Sequence, residues 1–133
     1  MSAKFYDSTS CCILASDQKD RASAVRGMMQ NGGTISVQVL NEMANVSRRK
    51  FGMSWEETVA LISEAERLLV VVPLTLETHK KGVLLAERYG FAIYDSFIVA
   101  AAIAAECDTL WSEDMQDGMV VDGKLRIANP FKS

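Results

Sequence analysis

Residues 91–118, FAIYDSFIVAAAIAAECDTLWSEDMQDG, decide how the chain is read. The run from Phe97 to Ala105 is apolar all round, and a segment without a polar stripe is a buried one. Its alanine content and its length favour a helix over a strand. Asp95 stands at or near the N-cap of that helix, where a carboxylate accepts from a backbone N–H. Residues 109–112 read as a short strand, and Asp114 falls just past its end. The centre of the domain is thus an apolar helix and strand with a carboxylate at an end of each. A carboxylate is costly to bury unpaired, so these positions need a chemical reason.

Away from this stretch, helices and strands alternate. Lys4-Phe5-Tyr6 is a short strand ending at Asp7, with residues 8–10 as a polar turn. Residues 19–30 form a helix closed by Asn31-Gly32-Gly33. Thr34-Ile35-Ser36 is a second strand. A helix follows over residues 37–51, with Val39, Leu40, Met43 and Val46 at helical spacing and Glu42 at the edge of that stripe. Ser54 and Glu57 have the spacing of a capping box for a helix running to about Arg67. Residues 68–72 are a β-branched apolar strand stopped by Pro73. Thr75 caps a helix that ends near Tyr89-Gly90. Residues 119–121 and 125–127 flank Asp122-Gly123-Lys124 as a hairpin. The pattern predicts one α/β domain, residues 1–133, with a mostly parallel sheet. In open sheets of this kind sites lie outside the carboxyl ends of the strands. Asp7 and Asp114 each follow a strand, Asp95 begins a helix, and Glu42 lies about two turns into another. All four converge on one edge of the sheet.

Two like charges about 4 Å apart repel by roughly 4 kcal/mol at an effective dielectric near 20. Four such groups in one pocket call for protons or a cation. Oxygen-only ligands select a hard ion, Mg²⁺ or Mn²⁺ over Zn²⁺. Such an ion keeps water ligands, accepts phosphate oxygens and activates water. Taken singly the same residues have plainer readings: Asp95 as an N-cap, Asp7 as a turn former, Glu42 as an exposed helix residue, and Asp114 with Asp117 as a solvated loop. The argument rests on the four together.

Composition narrows the class. At 49% hydrophobic and 23% charged, the 133 residues are those of an ordinary globular domain. No apolar run has the length of a membrane span. The absence of a signal-like start and the lack of any disulfide or zinc spacing among the three cysteines point to a reducing cytoplasm. A formal net charge of −3 is unlike a protein that grips nucleic acid by its phosphates alone, so such contact is local or metal-mediated. His79 and Arg48-Arg49-Lys50 read as surface groups, the latter with an RNA-phosphate contact as the rarer alternative. The cysteines read as small core residues and Trp55 and Trp111 as packing residues.

Several segments together resemble the PIN domain, and within it the VapC-type toxin ribonucleases. They are residues 5–8 (FYDS), 35–42 (ISVQVLNE), 94–102 (YDSFIVAAA), 107–118 (CDTLWSEDMQDG) and 125–131 (LRIANPF). The likeness spans essentially the whole chain. It implies a three-layer α/β/α fold and a metal-dependent endoribonuclease with Asp7, Glu42, Asp95 and Asp114 as its acidic positions. It implies Asp117 as a fifth metal-site residue and Ser8 and Ser112 as hydroxyls that order the site. It further implies Mg²⁺ or Mn²⁺, an RNA substrate, a homodimer, and a small antitoxin whose Arg or Lys reaches the acidic pocket. An arginine suits that role best, because its planar fork pairs two carboxylate oxygens at once. The family commonly has Thr-Asn after its first Asp, whereas this chain has Ser8-Thr9. A hydroxyl still hydrogen-bonds a carboxylate, so altered tuning is expected. The rival reading is a PIN-fold binding module with a degenerate site. A phospho-receiver domain is weaker still, since the strand before Asp114 ends Leu110-Trp111-Ser112 with no lysine.

Overall fold

The computed structural model describes residues 3–132. Six strands and six α-helices follow in order: β1 (Lys4–Tyr6), α1 (Ser8–Cys12), a 3₁₀ turn (Ile13–Ala15), α2 (Lys19–Met29), β2 (Thr34–Ser36), α3 (Val37–Arg49), α4 (Trp55–Leu68), β3 (Val70–Val72), α5 (Leu76–Tyr89), α6 (Ile93–Ala104), β4 (Thr109–Trp111), β5 (Val120–Val121) and β6 (Leu125–Ala128). The strands form one sheet in the order β3-β2-β1-β4-β6-β5, parallel except for the β5–β6 pair. The chain walks outward from β1 to β3, then crosses back to lay β4 on the other side of β1. Because such crossovers are right-handed, reversing direction puts the connecting helices on opposite faces. The result is the expected three-layer α/β/α arrangement.

Local chemistry sets the boundaries. Ser54 and Glu57 form the predicted capping box at the start of α4, and Thr75 accepts from Thr78 N–H to start α5. At the hairpin, Asp122 and Gly123 both take positive φ (52° and 65°), and Lys124 N–H closes the turn on the Val121 carbonyl at 3.0 Å. In α6 every residue from Ser96 to Ala102 is buried, as its uniform apolarity predicts. Gly82 lets α5 sit directly on it. A Cβ there would lie 2.4 Å from the Phe97 ring, closer than any real packing contact. Among the described residues, no helix is long and apolar enough to cross a membrane.

Four expectations change. Residues 8–10 open a helix, α1, where a turn was expected, and Asp7 is its N-cap. Asp95 is not a cap: α6 begins at Ile93 after an extended Ala92 and carries Asp95 inside its first turn. The strand expected from Leu68 begins at Val70, because α4 continues to Leu68. Trp55 is 64% exposed, with the Arg48 guanidinium 4.3 Å above its ring, so it is no core residue. The three cysteines are free and buried, as expected.

Candidate active site

The sheet reverses its strand order between β1 and β4, and in such sheets the crevice at the carboxyl ends of those two strands is the natural site. Here the loops leaving β1 and β4 are joined by hydrogen bonds. Asp7 N–H donates to the Trp111 carbonyl at 3.1 Å, and the Ser10 hydroxyl donates to the same carbonyl at 2.9 Å. The Thr9 hydroxyl donates to Asp7 Oδ1 at 2.7 Å and accepts from Glu113 N–H at 3.3 Å. The residue that departs from the family pattern therefore holds both loops. One hydroxyl does so because it donates and accepts at once.

Asp7 is buried at 2% exposure. Its Oδ1 also accepts from Ser10 N–H at 2.9 Å, the N-cap bond of α1. Burial pushes its carboxyl pKa up, against the opposing pull of hydrogen bonds from Ser112, Ser10 and Thr9. Ser112 is itself fully buried, and its hydroxyl accepts from Met115 N–H at 3.1 Å, shaping the turn after β4. Glu42 comes from α3, which Ser36 caps at the end of β2. One Glu42 oxygen accepts from the Ser8 hydroxyl and the other from the Gln38 side chain at 2.9 Å. Gln38 lies one turn earlier on α3 and is buried. The sequence reading passed over it. Its signal was the i,i+4 spacing to Glu42.

Asp95 is half-buried, and its pKa is pushed up to about 6. Burial is the largest cause, followed by the charges of Glu42, Asp7 and Asp114. The four expected carboxylates thus lie within electrostatic reach of one another. Among the described residues no Lys, Arg or His stands in an ion pair with any of them. Asp114 is exposed on the loop after β4. Asp117 is placed differently: it is exposed, and its Oδ1 accepts from Asn129 N–H at 2.8 Å, tying that loop to the end of β6. Its neighbour Glu113 pairs with Arg21 at 2.7 Å, which fastens α2 to the same loop.

These donors are all oxygens, and none is neutralised, which is the chemistry of a hard-cation site. Among the described residues, however, no three His, Cys, Asp or Glu side chains stand close enough to share one ion. A closed protein cage is not what this geometry offers. A hydrated Mg²⁺-type ion needs only one or two carboxylates, completed by water and phosphate oxygens. Asp95, which feels the charges of Asp7 and Asp114, is the position where these residues could hold one.

Solved structures with this fold are numerous. The chain superposes on the VapC20 toxin of Mycobacterium tuberculosis, described as cleaving the sarcin–ricin loop, with a TM-score of 0.69 and 15% identity; 84% of this chain and 92% of that one are covered. A toxin–antitoxin complex from Klebsiella pneumoniae matches at 0.70 and 17%, covering 98% and 100%. DNA-bound VapBC from Salmonella typhimurium matches at 0.71 and 16%, covering 98% and 99%. No curated protein sequence matches the chain. At such identities these likenesses speak for the fold. The sequence itself matches the PIN domain family over residues 8–116, most of its length, and the chain belongs to the PIN domain family.

Proposed function

We propose that this protein is a metal-dependent endoribonuclease, the toxin of a toxin–antitoxin pair, hydrolysing RNA phosphodiesters at Asp7, Glu42, Asp95 and Asp114. One observation carries the reading: the charges of Asp7, Glu42 and Asp114 all act on Asp95, and among the described residues none of the four carboxylates stands in an ion pair. Such an arrangement is unfavourable by itself, and it suits a bound Mg²⁺ or Mn²⁺. The PIN family match and the structural likeness to VapC toxins support the same reading.

A bound ion would supply Lewis acidity to a phosphoryl oxygen and a readily deprotonated water. Asp7 and Asp95 would hold it, with Asp114 completing the set and Asp117 acting through water. Asp7 is kept in place by Thr9 and by the first turn of α1. Ser8 and Gln38 fix the Glu42 carboxylate at the rim, where it orients water. Ser112 keeps the loop carrying Asp114 against Asp7. The partner would be a small antitoxin that inserts an Arg or Lys among the carboxylates and so replaces part of the ion's charge. A homodimer in the cytoplasm completes the proposal, in keeping with the free buried cysteines.

The rival is a PIN-fold binding module without nuclease activity. The absence of three ligating side chains around one point, among the described residues, favours it. Purified protein incubated with RNA in Mg²⁺ or Mn²⁺, and in EDTA, separates the two. Metal-dependent fragments with 5′-phosphate and 3′-hydroxyl ends, lost in Asp95→Asn, are expected. Intact RNA under every metal condition leaves the binding module.

A further inference from the structure

A groove of about 490 Å³ opens beside the acidic edge. Its lining includes Ser8 and Asp114 of the acidic edge, Lys50 and Phe51 just past α3, and the apolar Ile13 and Val46. Lys50 is the only cation among its lining residues and forms no ion pair among the described residues. Its ammonium lies 5.9 Å from the Phe51 ring centre, and that ring is 36% exposed. Lys50 also acts on the groove wall: it opposes the burial and the Asp7 and Glu42 charges that push the Cys12 thiol up to about 12. Glu113 at the acidic end is already paired with Arg21. The groove therefore joins a cation without an ion pair and the exposed aromatic ring beside it to apolar side chains and to the carboxylates of Asp114 and Asp17, which form no ion pair among the described residues.

A phosphate needs the cation, a base needs the flat apolar face, and the carboxylates would hold an ion able to take the next phosphate. Single-stranded nucleic acid supplies all three at successive positions. A folded duplex does not, because its bases are stacked away. We propose that this groove binds a nucleotide of single-stranded RNA next to the cleaved bond, with a phosphate on Lys50 and a base against Phe51. The assignment rests on the ribonuclease reading and adds a subsite to it.

The test uses the full chain and a fluorescent single-stranded RNA oligonucleotide, first in EDTA, where binding is measured without cleavage, then in Mn²⁺. Lys50→Ala and Phe51→Ala are each expected to weaken binding about tenfold. Lys50→Ala lowers the slope of log affinity against log salt by about 0.7, one phosphate contact on a single strand, while Phe51→Ala leaves the slope unchanged. Lys50→Arg and Phe51→Tyr restore binding, which a merely structural role would not require. In Mn²⁺ the two alanine variants raise KM with little change in kcat. Wild-type protein that does not bind the oligonucleotide, or variants that bind it as wild type does, overturns the subsite. Variants that bind RNA normally but lose a partner protein make the groove a protein-docking surface and overturn it too. Binding that follows the expected pattern without any cleavage by wild type sinks the nuclease reading and leaves the groove standing.

Discussion

Asp95 and Asp122 are both partly buried carboxylates, yet their surroundings push them in opposite directions. Asp122, at the hairpin turn, accepts from Lys81 at 2.7 Å and from Arg88 and the Tyr89 hydroxyl at 3.0 Å each. Its backbone N–H donates in turn to the Tyr89 oxygen. These partners hold its pKa below the usual carboxylate range, with the Lys81 hydrogen bond as the largest cause. Asp95 has burial and three like charges around it, and its pKa rises to about 6. One carboxylate fastens α5 to the β5–β6 hairpin. The other, where the sheet reverses, has no ion-pair partner among the described residues. An acid neutralised by its own chain serves the fold, while one left unpaired beside like charges marks a candidate functional position.

The sharpest break in that comparison is catalytic. Asp7→Asn or Asp95→Asn is expected to lower RNA cleavage at least about 100-fold, whereas Asp122→Asn leaves kcat and KM near wild type. Single-turnover assays at one metal concentration read both. Comparable losses at Asp122 and Asp95 would erase the distinction.

Stability should order the two the other way. Asp122→Ala removes three donors' partner and is expected to cost about 2 kcal/mol in urea unfolding. Its contribution is present above the ordinary carboxylate pKa near 3.8 and disappears as pH falls through the lowered folded value, so the penalty shrinks only in acid. Asp95→Asn is expected to stabilise the metal-free protein by about 1 kcal/mol at pH 7.5, after allowance for solvent screening. In the wild type the folded state keeps the Asp95 proton up to about pH 6, while the unfolded chain loses it near 3.8. Folding stability from this group therefore falls as pH rises from about 4 to about 6, and the gain in the variant vanishes near pH 4. Urea titrations of both variants at pH 4 and 7.5 in EDTA check the signs.

The smallest effect is expected at Asp117. Its carboxylate already accepts from Asn129 N–H. Asp117→Asn should cost only a few-fold in cleavage, well short of the loss in Asp114→Asn. Equal losses in the two variants would place Asp117 on the ion itself.

The architecture was legible because its signals are local. The capping box at Ser54, the hydroxyl cap at Thr75 and the Asp122-Gly123 turn each mark a boundary within four residues. Burial of α6 followed from its unbroken apolarity. Residues 8–10 read as a turn because a helix of five residues carries no periodicity, and these three hydroxyl side chains suit turns as well as caps. Asp95 was set one turn too early in its helix, since Ala92 offers no side-chain cap to mark the start. Four acids at the strand-end edge were readable from element order alone. The bonds from Thr9 to Glu113 and from Ser112 to Asp7 were not, because they join segments about a hundred residues apart, whereas Gln38 carried a local signal in its i,i+4 spacing to Glu42. The Lys81–Arg88–Tyr89 clasp on Asp122 was invisible for the same reason.

The bonds between Asp7, Thr9, Ser10, Trp111 and Glu113 also govern when the protein becomes whole during its synthesis. β1 leaves the ribosome first, yet one of its two neighbours is β4, more than a hundred residues later. Until that strand emerges, β1 has an open side and Asp7 lacks the segment that carries Asp114. Pairings of such long sequence separation form late, after the entropy of closing the intervening chain has been overcome. A nascent chain still attached to its own messenger therefore carries an unassembled cleft. Only a polypeptide finished nearly to its last strands brings the segment carrying Asp114 beside Asp7 and completes the acidic edge of the sheet.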